Sequence, residues 1–241
     1  MSIEIKKNKE YPLKIPRFLC DALLKDDVPP PYHLLVNGYR FITIIGRPQS
    51  GKTSLLFSLF RDRKLLKRCF NNIILVMPLE SMKSMNQKDN IFKDLSEEKF
   101  FTSLDDVDSI RELVKFYASE DENSVIIIDD MTSYLKDGYV QKVLSDIVMN
   151  RRHYRTSIIL LSQIYNKIPL SIRKLINICM VMYKPSRKET ETIFEELLEQ
   201  NEDISNQIFK LAFNKQFDKL IIDVPTQKLY INSDEVIIHD E

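Results

Sequence analysis

The chain predicts an α/β domain: a mostly parallel sheet with helices on both faces, a short N-terminal lead-in and a C-terminal hairpin. Apolar runs of strand length alternate with helical patterns from Tyr39 onward. Those runs are continuously aliphatic, as strands buried on both faces are, and do not alternate as half-solvated ones do. The chain also contains only four glycines, and two of them frame one loop between the first strand and the first helix.

Taken in order, residues 1–37 read as the lead-in. Pro12, Pro16 and Pro29-Pro30-Pro31 exclude long helices there, leaving room for a short one around Pro16 to Leu24. Phe41–Ile45 is β-branched and apolar enough for a buried strand, and Ser54–Phe60 reads as a helix. Asn72–Met77 is a second strand, followed by a polar stretch from Ser81 to Phe101 that reads as an excursion above the sheet. Leu104–Ser119 has Val107, Ile110, Leu113, Val114 and Tyr117 on one helical face. Further strands fall at Ser124–Ile128, Ser157–Leu161 and Ile178–Tyr183, with helices at Tyr139–Asn150 and Glu189–Glu199 between and after them. Leu220–Val224 and Leu229–Ile231 form a hairpin across Pro225-Thr226-Gln227. The expected division is a lead-in at 1–37, a core at 38–200 and a helix-and-hairpin extension at 201–241.

Composition narrows the setting. The chain has 241 residues, 44% of them hydrophobic, enough for one sizeable core. Lysine plus arginine (35) equals aspartate plus glutamate (35), so a nucleic-acid site would have to be a local patch. Cys20, Cys69 and Cys179 are widely spaced and read as reduced thiols. Apolar runs fall far short of the roughly 20 residues that span a bilayer, and the N-terminus has no apolar signal core. A soluble intracellular protein without membrane insertion is expected.

The glycine pair belongs to Gly46-Arg47-Pro48-Gln49-Ser50-Gly51-Lys52-Thr53, followed by Ser54, which is the phosphate-binding pattern G-x-x-x-x-G-K-T. Glycine lets successive backbone N–H groups approach phosphate oxygens. Lys52 supplies a cation between the β- and γ-phosphates, the Thr53 hydroxyl a ligand for Mg²⁺, and the helix N-terminus its dipole. Strand before and helix after give the motif the context it requires. Binding of ATP with Mg²⁺ is expected.

A second element completes such a site. Val125–Ile128 ends in Asp129-Asp130, a buried strand finishing in carboxylates. Asp129 would hold Mg²⁺ and Asp130 would orient or deprotonate the attacking water. Glu is commoner at the second position and is one methylene longer, so Glu80, after the second strand, stays open as an alternative base. Ile158–Leu161 ends in Ser162-Gln163, where an amide can sense the γ-phosphate through the attacking water. Arg151-Arg152-His153-Tyr154-Arg155 is the densest basic run. It reads as an arginine finger for a neighbouring subunit, as a nucleic-acid phosphate contact, or as a basic helix terminus answering its dipole. Arg152 is the leading finger candidate, Arg173 the next, and Arg187 a weaker third.

The ordered set GRPQSGKTS, VIIIDD, RRHYRTSIILLSQ and SIRKLIN, over about residues 36 to 200, resembles the poxvirus-type virion DNA-packaging ATPases, the viral branch of the FtsK–HerA superfamily. The resemblance implies a RecA-like ATPase core, Mg²⁺-ATP hydrolysis and a homo-oligomeric ring of five or six subunits. It also implies sequence-independent movement of double-stranded DNA into the virion, a place in the infected-cell cytoplasm, and contact with other virion assembly proteins. Two other classes share the loop. A small-molecule or nucleotide kinase needs no sensor amide such as Gln163. A GTPase switch needs an N-K-x-D guanine reader, and neither Asn166-Lys167-Ile168-Pro169 nor Asn214-Lys215-Gln216-Phe217 supplies its aspartate.

Overall fold

In the computed structural model, residues 24–83, 90–198 and 202–237 are described. The strands are β1 (Phe41–Ile45), β2 (Asn72–Val76), β3 (Phe100–Phe101), β4 (Ser124–Asp129), β5 (Thr156–Ser162), β6 (Ile178–Val181), β7 (Leu220–Asp223), β8 (Lys228–Ile231) and β9 (Asp234–Val236). The helices are α1 (Lys52–Arg61), α2 (Leu79–Lys83), α3 (Val107–Ser119), α4 (Gly138–Met149), α5 (Leu170–Arg173), α6 (Arg187–Leu198) and α7 (Glu202–Ala212). The strands form one sheet in the order β3-β2-β4-β5-β1-β6-β7-β8-β9. It is parallel from β3 to β6 and antiparallel from β6 to β9.

The aliphatic runs divide by period two, as neighbouring Cβ atoms on a strand point to opposite faces. Ile126, Ile128, Ile158 and Leu160 join the core under α3, α4, α6 and α7. Val125, Ile127, Ile159 and Leu161 join the other core, against α1 and the end of the lead-in. Each fully buried side chain of this kind stabilises the fold by roughly 1.5–3 kcal/mol, and the two layers together account for the unbroken apolar strands.

Several boundaries and connections differ from expectation for identifiable reasons. α3 starts at Val107 because Leu104 is buried in the preceding turn and Asp106 occupies the N-cap. α4 starts one residue early, where the Asp137 carboxylate accepts from the backbone N–H of Tyr139 (2.8 Å) and Val140 (3.0 Å). β3 is too short for periodicity to reveal, and β9, built on Asp234 and Glu235, has little apolar character. The C-terminal hairpin continues the core sheet, since β7 pairs with β6 from Ile178↔Asp223 to Val181↔Leu220. In the lead-in, Leu34, Leu35 and Val36 are buried, and Leu24 N–H donates to the Val36 carbonyl. The short helix expected around Pro16 to Leu24 falls almost wholly outside the described residues. Within the polar stretch, Phe92 is buried edge-on against Phe57 of α1 at 5.5 Å between ring centroids, so this part packs on the fold. No helix among the described residues is long and apolar enough to cross a membrane.

Candidate nucleotide-binding and catalytic site

Strand order decides which motifs meet. β5 lies between β1 and β4, in the registers Ile45↔Ser162 and Asp129↔Leu161. The loop after β1, the amide after β5 and the carboxylates at the end of β4 therefore emerge side by side at the carboxyl edge. Gly46 N–H extends the ladder by one bond, donating to the Ser162 carbonyl at 3.0 Å.

The loop needs both of its glycines. A Cβ on Gly46 would lie 2.2 Å from Ser50 Oγ and 3.0 Å from Lys52 Cγ. Gly51 has φ +91° and is the N-cap of α1, a left-handed conformation that L side chains resist. Gln49 is also left-handed (φ 65°), while Arg47, Pro48 and Gln49 are exposed. Lys52 is buried, and its Nζ donates to the carbonyls of Gly46 (2.7 Å) and Arg47 (3.4 Å). Burial lowers its pKa, an effect opposed by Asp129 and Asp130.

Across the loop, Thr53 Oγ1 donates to Asp129 Oδ2 at 3.5 Å. Asp129 is 5% exposed. Burial, followed by the neighbouring Asp130 charge, pushes its carboxyl from 3.8 up to about 6, with Lys52 pulling the other way. A buried acid facing a threonine hydroxyl is an environment that a hard cation would relieve, and both donors are the oxygen type Mg²⁺ prefers. These residues therefore fit the ion. Asp130 is exposed and left-handed (φ 56°), which turns the chain sharply off the strand. Gln163 Nε2 donates to Asp130 Oδ1 at 3.3 Å. Asp130, Ser162, Gln163, Lys136 and Lys167 help to line a cavity of about 250 Å³.

The remaining candidates are distributed differently. Glu80 is exposed at the start of α2, beyond β2, and has no hydrogen bond to the described residues of the site. Arg152 is exposed in the turn between α4 and β5. That turn lies at the amino end of β5, so the whole length of the strand, roughly 20 Å, separates it from its own loop. Arg173 donates to Glu196 at 2.7 Å and lies over the Tyr165 ring, 5.1 Å from its centroid. Arg187 is exposed and paired with Glu191 at 2.9 Å.

Sequence reasoning missed three features here. Glu189 is buried and accepts from Tyr165 N–H (2.7 Å) and the Tyr183 hydroxyl (2.5 Å). The Tyr183 ring in turn carries the Arg47 guanidinium at 5.0 Å, so one carboxylate joins the turn after Gln163 to the phosphate loop. Lys136 and Lys167 stand in short 3₁₀ turns, and no motif marks them. A second cleft beside Gly51, with Phe217 on one wall, has no local sequence signature either.

A glycine loop opening into a helix, with the amide-bearing strand set between the loop strand and the carboxylate strand, defines a P-loop nucleotidase fold of the RecA-like type. The family described as Poxvirus A32 protein matches residues 32–239, and the chain belongs to that family. No curated protein sequence matches it. Among solved structures, it is similar to B204, the DNA-packaging ATPase of Sulfolobus turreted icosahedral virus, with TM-score 0.60 and 21% identity over 83% of this chain and 98% of that one. The genome packaging NTPase B204 of Sulfolobus turreted icosahedral virus 2, in complex with ATP-gammaS, gives TM-score 0.59 and 20% identity over 82% and 98%. Thermomonospora curvata EccC, in a structure of ATPases 2 and 3 with a signal sequence peptide, gives 0.52 and 10% over 83% of this chain and 37% of that one. At these identities the likeness is one of fold.

Proposed function

We propose that the chain is the ATPase of a viral genome-packaging machine, hydrolysing Mg²⁺-ATP to move double-stranded DNA irrespective of sequence. The observation that carries this reading is the meeting of Lys52, Asp129, Asp130 and Gln163 at one edge of the sheet. Family membership and the packaging ATPases among its structural relatives support the same reading.

Each residue has a role in that chemistry. Backbone N–H groups of the loop from Gln49 to Thr53 (Pro48 has none) and the N-terminus of α1 receive the phosphates. Lys52 would exchange its loop carbonyls for phosphate oxygens and offset their charge. Thr53 and Asp129 would hold Mg²⁺, which when bound neutralises charge on the β- and γ-oxygens. Asp130 accepts a proton from water as the oxygen–phosphorus bond forms and the bond to the leaving diphosphate breaks. Gln163, already bonded to Asp130, orients that water.

Arg152 acts from a neighbouring subunit. A head-to-tail contact would bring the amino end of one sheet to the carboxyl end of the next, and such heterologous contacts generate rings when the rotation closes. The infected-cell cytoplasm is the setting consistent with this role.

The test is a nucleotide panel measured with and without duplex DNA of several sequences. Mg²⁺-ATP turnover should rise with any duplex, and the rise should fall steeply between about 50 and 200 mM salt through counterion release. Stimulation confined to one sequence would overturn translocation. Phosphate transfer to a small acceptor, with no response to DNA, would establish the kinase instead.

A further inference from the structure

Two directions leave the phosphate loop, and the groups assigned to hydrolysis occupy only one. Asp129 ends β4, and Asp130 and Gln163 directly follow β4 and β5, all to one side of β1. On the other side, past β6 and before β7, lies an open cleft of about 360 Å³. It is lined by Gly51, Ser54 and Ser58 of the loop and α1, Met182 after β6, and Phe217 and Lys219 before β7. A triphosphate laid along the loop with its γ-phosphate facing Asp130 would carry its nucleoside to the other side of β1, where this cleft opens. The size is that of a small-ligand site.

We propose that this cleft is the nucleobase pocket and that Phe217 is the shelf on which the base stacks, an inference that rests on the nucleotide-site reading above. Phe217 is 55% exposed, a large apolar ring left in solvent. It also stands close to the loop, since a Cβ on Gly51 would lie 3.0 Å from its ring. The turn that carries the ring is held in place: Phe217 is left-handed (φ 70°) within a turn gathered by the Asp218 carboxylate. That carboxylate accepts from the backbone N–H of Asn214 (3.1 Å) and Lys215 (2.7 Å) and from Asn232 Nδ2 (3.0 Å). Asn232 Oδ1 in turn accepts from Lys219 N–H at 3.2 Å, tying the turn to the end of the C-terminal hairpin. Met182 supplies a polarizable thioether to the same pocket.

The polar lining is two serine hydroxyls and one ammonium, with no carboxylate to meet the donor edge of guanine. Stacking accepts any base, because each has a π-face. The pocket is therefore expected to discriminate little between ATP and GTP.

Calorimetry with ATP and with inorganic tripolyphosphate tests this. Phe217→Ala should weaken ATP about 5- to 140-fold, the range that loss of one stacked base gives, and leave tripolyphosphate unchanged. Phe217→Tyr, which keeps the ring, should bind ATP as the parent does. Unchanged ATP affinity in Phe217→Ala would overturn the proposal. So would an equal loss for tripolyphosphate, which would make Phe217 a support of the loop. If the parent protein bound neither compound, the phosphate-loop reading itself would fall; if it bound both with equal affinity, only the base pocket would.

Discussion

The two ends of the parallel strands hold charges of different kinds, with different partners. At the carboxyl end, Lys52, Asp129 and Asp130 crowd together, with Asp129 pushed up to about 6 by burial and the adjacent acid, and Lys52 pushed down by burial. At the amino end, charges are tied into the scaffold. Arg151 donates to the carbonyls of Tyr39 (2.9 Å) and Val148 (2.9 Å), and Arg155 to Asp121 (2.8 Å) and Asn123 (3.3 Å). The basic run that looked like one functional unit is thus divided, with two of its arginines fastening the start of β5 to neighbouring segments. Acids and a lysine crowd the nucleotide end, whereas the amino end holds arginines: Arg151 is clamped by carbonyls even as burial and the neighbouring Arg40 lower its pKa.

The largest effects should come from the nucleotide end. Lys52→Ala should abolish ATP turnover and strongly weaken nucleotide binding, because it removes the cation facing the phosphates. Asp130→Asn should keep binding and lose hydrolysis. Turnover retained in Asp130→Asn but lost in Glu80→Gln would move the base to Glu80 and remove Asp130 from the contrast.

Arg152 sharpens the comparison from the other end. Arg152→Ala should bind ATP normally and hydrolyse it on the order of 10³-fold more slowly, as loss of a finger does. Mixing it with Lys52→Ala subunits should restore some activity, since a mixed ring can pair an intact Arg152 with an intact loop. Mixed rings that form and remain inactive would exclude a role in trans and point next to Arg173, which would first have to leave Glu196.

The smallest effect is on stability. The Asp129 carboxyl ordinarily titrates at 3.8 and is raised to about 6 in the fold. A raised acid contributes stability that is fully present below its unfolded value and is lost as pH climbs through its folded one. Without nucleotide or metal, the protein should therefore weaken as pH passes from about 4 to above 6. Asp129→Asn, neutral throughout, should be more stable at pH 8 by at most about 3 kcal/mol. Urea unfolding across that range checks it, and equal pH sensitivity in the variant would show that Asp129 is not strained.

Local chemistry was legible in the residues themselves. A glycine-framed loop between strand and helix, a strand run ending in Asp129-Asp130, and aliphatic runs too continuous for a half-solvated sheet each lie within a few neighbours along the chain. They specified the α/β class, the phosphate loop and the carboxylates. Strand order was not local: β5 between β1 and β4, and the hairpin β7–β8 joined to β6, follow from long-range pairing. So do the bond from Gln163 to Asp130, the Glu189 link to Tyr183, and the approach of Phe217 to Gly51. The same holds for the basic run, where the fold brought backbone carbonyls within reach of Arg151 and a carboxylate within reach of Arg155, and left Arg152 exposed. Backbone conformation and burial pattern are set by near neighbours, whereas a contact between distant segments exists only once packing of the two cores has fixed the register of the strands that carry them.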